Sequence, residues 1–423
     1  MKKRIKQISL FCIVLMLFSS CSKNSTNNSK TVLPAQETED IQCVDFLYPI
    51  GYANETGLYF TEYGSNGNSN IKFIDFLSKK CVSLCSRPEC LHQDETCTSW
   101  LKYCENTFST VPVNDKLLLI YNGSFLSTSY HAYGDDALTN IYVGNLNGTS
   151  MNKVATFKPQ QTLSGKYAVS LDNLYVVTSE TVENENDVQH YSFIAKVDLE
   201  NGKMTESEKF DFPNLQIESA FKNNLILSYS QLSKNDSLNE FKSNILLYNT
   251  ATGKNSYLLT IDPTEVSYKF TNNFLYTINH QSGELKALDL QSNTEEIICN
   301  VYQDNSAKEV FIKGIVTEGI IFDKRTKGMP DKSCFFDFSS NKVLDINLPL
   351  QANESLDPNR NIEIIAEYGN KYVVIVGLLM DSVTFSNTTG ENYTLPIARY
   401  EFALIEKDNY INSIGKYEPI FCS

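Results

Sequence analysis

From residue 41 onward, apolar and polar residues alternate in runs of four to eight. That is the period-two pattern of strands with one buried face. The runs also repeat. A turn of Asn, Asp, Gly or Lys leads into GLYFTEY (57–63), DKLLLIYN (115–122), DNLYVVTS (172–179), NNLILSYS (223–230), NNFLYTIN (272–279), EGIIFDKR (318–325) and NKYVVIVG (370–377). After a variable loop, each is followed by a second strand, as in IKFIDFLSKK, SFIAKVDLENGK and ELKALDLQSN. Leu58, Leu117, Leu174, Leu225, Phe274, Ile320 and Tyr372 mark seven units spaced by 46 to 59 residues.

A repeat near 50 residues built of short strands points to radial stacking, because no single unit can bury both of its faces alone. The pattern therefore predicts an all-β fold, a β-propeller of seven blades with four antiparallel strands each, filling residues 41–423. Six or eight blades, or a pair of sandwiches, are the other arrangements it allows. Val44 to Tyr48 are placed to add a strand that closes the ring. The Asp-Leu-x-x-Gly-Lys ending at Asp198 to Lys203 reads as a hairpin in which Asp caps the turn and Gly takes the positive φ.

The first 40 residues break this pattern. Lys2, Lys3, Arg4 and Lys6 form a basic stretch without an acid, followed by the apolar run Ile8 to Phe18. At 11 residues the run is about half of what a bilayer span needs, so residues 1–20 read as an export signal. Leu17-Phe18-Ser19-Ser20-Cys21 ends it with small residues before a cysteine. The polar stretch Ser22 to Lys30 carries too little apolar surface to fold, so residues 21–40 read as a tether. An ordinary secretory signal is the alternative to a lipid-modified Cys21.

Charge narrows the partners. The chain carries 36 basic and 50 acidic residues, a net charge of −14, and removing residues 1–20 takes away four bases and no acid, giving −18. Nucleic acid and anionic lipid surfaces are disfavoured as partners. The acids are scattered, as on a solvated surface.

By Leu17 to Cys21, the repeated Asp-Leu-x-x-Gly-Lys hairpins and the strand spacing, the chain resembles the TolB-like and WD-repeat-like propeller lipoproteins of bacteria. It departs from true WD repeats in lacking the Trp-Asp pair, since Trp100 is its single tryptophan. The resemblance implies a diacylglycerol-modified Cys21 and anchoring on the extracytoplasmic side of a membrane, the outer one in a Gram-negative host. Leu84-Cys85-Ser86-Arg87-Pro88-Glu89-Cys90-Leu91-His92, followed by Cys97, also resembles a Cys-x4-Cys-x-His-x4-Cys motif of propeller lipoproteins from gut clostridia.

That motif is the local feature with chemistry in it. Cys81, Cys85, Cys90, His92, Cys97 and Cys104 fall within 24 residues, in an insertion read as residues 85–110 between the first and second blades. Cys85, Cys90, His92 and Cys97 form a Cys3His set for structural zinc. Cys90 and His92 share a metal only if the chain turns sharply between them. Disulfides are the equal alternative in an exported protein, and a reactive thiol site is a third. Cys299 and Cys334 read as buried thiols in separate blades, and Cys43 with Cys422 as a clasp between the ends of the ring.

His131, His190 and His280 stand alone and read as ordinary loop or edge residues. Gly134-Asp135-Asp136 pairs two carboxylates in what a solvated turn would also explain. With no phosphate loop, HExxH helix or GxSxG elbow in the sequence, the expectation is a non-catalytic binding or scaffold module for a protein or glycan. A propeller enzyme acting on glycans and a metal- or thiol-responsive surface protein are the alternatives.

Overall fold

A computed structural model describes residues 40–422, except 45–46, 48, 64–68, 102–107, 125, 127–129, 131–132, 185–186, 213, 233–240, 272, 303–308, 327–328, 353–359 and 387–390. The basic stretch, the apolar run, Cys21 and the tether lie outside the described residues, as do Cys104 and His131. No helix among the described residues is long and apolar enough to cross a membrane.

The chain from residue 39 onward is one compact unit and almost wholly β. Successive antiparallel meanders of four strands occupy 51–83, 108–156, 161–206, 216–261, 266–300, 309–345 and 363–422. The apolar runs seen in the sequence are the second strands, such as Gly57–Tyr63 and Lys116–Tyr121, and the carboxylate- or amide-ended runs are the third. Polar outer strands complete the sheets. Thr294–Asn300, for example, is mostly exposed.

Among the described residues, seven apolar clusters fill the seams between consecutive meanders. Tyr59 and Leu84 of the first meet Leu117 of the second. Ile120 of the second meets Leu174 of the third, and the pattern continues through each later seam. The last cluster sets Phe402 and Leu404 of the seventh against Leu58 and Phe60 of the first, with the Phe60 and Phe402 rings 5.6 Å apart. The meanders therefore form a ring, and the fold is a β-propeller. No meander is covered without its two neighbours, which makes the ring one cooperative body.

The hairpins between third and fourth strands share one device. Asp75, Asp198, Asp289 and Asp337 each accept two backbone N–H groups of the following turn at 2.7 to 3.3 Å, and Asn249 accepts the Thr252 N–H and hydroxyl at 2.9 and 3.0 Å. Four residues on, Lys79, Gly202, Gly253, Asn293 and Asn341 take positive φ of 54 to 72°. At Gly202 glycine is required twice over, since a Cβ there would also sit 2.0 Å from the Val154 carbonyl oxygen. The donated N–H bonds hold the Asp198 and Asp289 carboxyls below the usual range.

Among the described residues, the N-terminal segment adds no strand that closes the ring. Gln42–Val44 pairs with Val169 to Tyr167 on the inner edge of the third meander, and Ile41 N–H donates to the Lys222 carbonyl at 3.0 Å. Leu47 then packs at the seam of the sixth and seventh meanders, and Ile50 at that of the seventh and first. This stretch thus crosses the inner side of the ring. Of the segment expected to add a closing strand, Asp45, Phe46 and Tyr48 lie outside the described residues. Closure falls instead to Tyr417–Cys422, which pairs antiparallel with the third strand of the seventh meander and parallel with Lys80 and Cys81 of the first. Cys43 is therefore not the partner of Cys422. It faces the Glu218 carbonyl of the fourth meander.

Candidate metal centre and adjoining cleft

The segment between the first two meanders leaves Lys80–Ser83, loops out, and returns as Trp100–Leu101. Both short strands pair with Ser69–Asp75, the first along its C-terminal half and the second at Ser69 and Asn70. The loop is thus clipped to one sheet at both ends. Phe108 to Thr110 lie beyond it, in the first strand of the second meander.

Within the loop, tight turns bring the ligands together. Cys90 N–H donates to the Arg87 carbonyl and Cys97 N–H to that of Asp94, at 3.2 and 3.0 Å. Asp94 caps the second turn by accepting from the Thr96 N–H at 2.9 Å and hydroxyl at 2.6 Å. His92 has φ 56°, which supplies the sharp reversal that two ligands so close in sequence need. Arg87 crosses the loop, donating to the Thr96 carbonyl at 2.6 Å and approaching Cys90 Sγ at 3.2 Å.

One ligand atom from each of Cys85, Cys90, His92 and Cys97 lies within 4.8 Å of the other three, and His92 Nδ1 is 3.2 Å from Cys97 Sγ. A tetrahedral zinc ion with Zn–S near ~2.3 Å and Zn–N near ~2.0 Å sets its ligand atoms about 3.5–3.8 Å apart. The four donors therefore fit the ion with small shifts, the wider pairs closing and His92 and Cys97 moving slightly apart. Cys97 is buried and its thiol contacts Ser99 Oγ at 3.1 Å. Ser99 in turn donates to Asn70 Oδ1 at 3.2 Å, so the set is tied to the propeller sheet. Burial raises the Cys85 pKa, but hydrogen bonds from Arg87, Cys97 and Thr98 outweigh it and bring the thiol down to about 6. Cys81 stands apart from this set, buried beside Cys422 in the first meander.

Beside the loop lies a cleft of about 440 Å³. Trp100, Leu101, Phe108, Tyr121, Tyr142 and Met151 form its apolar wall, with Asp136 and Lys153 at its polar edge. Those two charges pair at 3.0 Å. The Trp100 indole N–H is buried without a hydrogen-bond partner among the described residues, so what Trp100 offers the cleft is its ring. Sequence reasoning missed the cleft because Trp100 and Tyr142 are adjacent only through the seam of two meanders.

The other candidates are held locally. Gly134–Ala137 is a single 3-10 turn. His190 shares a 3.0 Å hydrogen bond with Thr181. His280 lies in a turn between Phe274–Asn279 and Glu284–Asp289, as expected of a loop residue, but it is buried and joins two meanders: Val310 N–H donates to its Nδ1 at 3.2 Å, which leaves the proton on Nε2 to face the Pro263 carbonyl at 3.3 Å. Cys334 is buried in the sixth meander, where desolvation pushes its thiol up to about 12. Cys299, in the fifth, is half-buried.

No protein-family model matches the chain, and no curated protein does. Among solved structures, it is similar to a puromycin hydrolase S511A mutant complexed with PGG at 12% identity and TM-score 0.49, over 90% of this chain and 53% of that one. A structure from a study of two prolyl endopeptidases aligns at 9% identity and TM-score 0.48, over 88% and 55%. TolB from Acinetobacter baumannii aligns at 9% identity and TM-score 0.35, over 85% and 77%. The chain spans about half the length of the first two. At these identities the likeness concerns the fold alone.

Proposed function

We propose that this chain is a lipid-anchored extracytoplasmic protein whose propeller binds a protein or glycan without transforming it, and whose Cys85, Cys90, His92 and Cys97 hold a structural zinc ion. The observation that carries the binding role is the aromatic cleft against the metal loop, lined by Trp100, Phe108, Tyr121 and Tyr142. Apolar walls with a few polar groups are the usual composition of a ligand site. Zinc is favoured over disulfides because a single S–S bond would use two of the three thiols and leave the third beside His92. A tetrahedral ion accounts for all four. Its role is to rigidify one wall of the cleft, since the loop has few apolar contacts of its own. A non-catalytic reading is favoured because Asp136, His190 and His280 are each tied to separate neighbours and do not converge.

Binding is tested on purified residues 22–423 with immobilised envelope glycans and envelope proteins. Retention is expected, and Trp100→Ala should weaken it about tenfold, the loss of one aromatic contact. Equal retention by the variant would move the site elsewhere on the ring, and no retention of either material contradicts the binding role.

Anchoring is tested separately by Cys21→Ala. One acyl chain holds a protein only marginally and several hold it firmly, at ~0.8 kcal/mol per buried methylene. The variant should lose essentially all incorporated palmitate label and leave the membrane fraction. A variant still pelleting with membranes would show that the signal is not of the lipoprotein type.

A further inference from the structure

Six of the seven seams are crossed by the chain itself, whereas the seam between the seventh and first meanders joins strands from opposite ends of the ring. Its backbone pairing is short: Phe421 with Lys80 and Cys422 with Cys81, in parallel register, plus the Phe421 N–H to the Lys79 carbonyl at 3.0 Å. Glu418 bridges it, meeting Lys79 of the first meander and Lys371 of the seventh at 2.5 Å each. At this point two cysteines face one another.

We propose that Cys81 and Cys422 are a disulfide-forming pair that covalently closes the ring. Register partners on neighbouring strands lie ~4.8 Å apart, inside the ~4.4–6.8 Å window that a disulfide spans between Cα atoms. The two thiols are within hydrogen-bonding reach of each other. Cys422 is exposed and Cys81 buried, which assigns the order of events. The shared hydrogen bond raises the Cys81 pKa, with burial adding to it, and lowers that of Cys422. Lys72, Glu62 and Glu401 surround the pair.

The oxidant is a disulfide donor of the thiol–disulfide exchange class. The Cys422 thiolate attacks one sulfur of that donor, forming a mixed disulfide and releasing the first thiol. Cys81 then gives up its proton and attacks the Cys422 sulfur, expelling the second thiol. Two protein thiols are thereby oxidised to one disulfide and one donor disulfide is reduced to two thiols. The bond would link residues 341 positions apart in sequence, and long closed loops gain the most from a crosslink. Its physiological setting rests on the exported reading above, but the chemistry does not, so failure of one leaves the other standing.

The test is peptide mapping without reduction, after native full-length protein is incubated with oxidised glutathione and remaining thiols are alkylated. A linked pair of peptides containing Cys81 and Cys422 is expected, absent after reduction and absent in Cys422→Ser. Reductant should lower the wild-type melting temperature by about 5 °C, a shift that Cys422→Ser does not show because its exposed thiol is not needed for packing. Recovery of Cys81 and Cys422 as separately alkylated peptides would overturn the proposal, as would either one bonded to another cysteine. An equal reductant response in Cys422→Ser overturns it as well, since the response would then belong to the other cysteines.

Discussion

Replacing Cys97 by serine is expected to reduce bound zinc from about one ion per chain to almost none, because the remaining donors leave a tetrahedral site open and weakly held. Cys97 is the buried member of the set and the one that links it through Ser99 to Asn70. Released from the metal, the loop keeps its two pairings with Ser69–Asp75 but loses the contacts that hold its turns. Glu89 and Glu95 are exposed within it, so a glutamate-specific protease should cleave the variant at least about tenfold faster than the wild type. Global stability should fall less, by about 2 kcal/mol, since most of the ring's apolar seams lie elsewhere. Retained zinc, or unchanged cleavage, would contradict a metal-held loop.

The second large effect is expected at Lys407. Its side chain is only 8% exposed and meets Glu318 at 2.7 Å and Glu367 at 2.9 Å. Tyr372 hydroxyl donates to Glu318 at 2.9 Å, and the ammonium lies 5.2 Å from the Tyr372 ring centroid. Because Glu318 belongs to the sixth meander and Lys407 to the seventh, the cluster fastens their seam. Lys407→Met would leave two carboxylates facing each other without their shared cation, at a cost of about 3 kcal/mol, read as a lower denaturant midpoint at pH 7. Burial by itself would raise the Glu318 pKa, but bonds from Lys407 and Tyr372 outweigh it and the net shift is downward. A depressed carboxyl stabilises the fold above its unfolded pKa of about 4.3, and that contribution fades as pH falls through the folded value. The gap between wild type and Lys407→Met should therefore be full at pH 7 and narrow toward pH 3. A gap independent of pH would mean that Lys407 acts by packing alone.

The parts of this fold legible in the sequence are those where local pattern and tertiary role coincide. Second strands such as Asn224–Leu232 carry consecutive apolar residues, Leu225 to Leu227, that are buried on both faces rather than on the single face the alternation predicts, so seven such strands stand out. The outer strands carry no such mark. Lys254–Ile261 is largely exposed and Met204–Glu206 is three residues long, so neither shows a hydrophobic period. The hairpin chemistry was legible because the Asp that caps each turn and the residue at positive φ are four positions apart. The Cys3His set was legible for the same reason, its ligands lying within one loop.

What the sequence did not show depends on contacts between distant residues. Nothing near Gln42 indicates that it pairs inside the ring rather than on an outer edge, because a three-residue strand fits either place. Cys422 lies opposite Cys81 only once the ring has closed, and nothing in the sequence near either cysteine marks the other as its neighbour. The cleft needs Trp100 from one meander's loop and Tyr142 from the next meander. His280 offered no sign of its buried bridge between Pro263 and Val310.

Metal analysis of the full-length protein, purified without chelators, is the most direct test of the zinc-held loop beside the cleft. Elemental analysis combined with zinc-edge X-ray absorption should return about one zinc ion per chain, bound by three sulfurs near ~2.3 Å and one nitrogen near ~2.0 Å. A metal-free protein whose Cys85, Cys90 or Cys97 is recovered in a disulfide would contradict it.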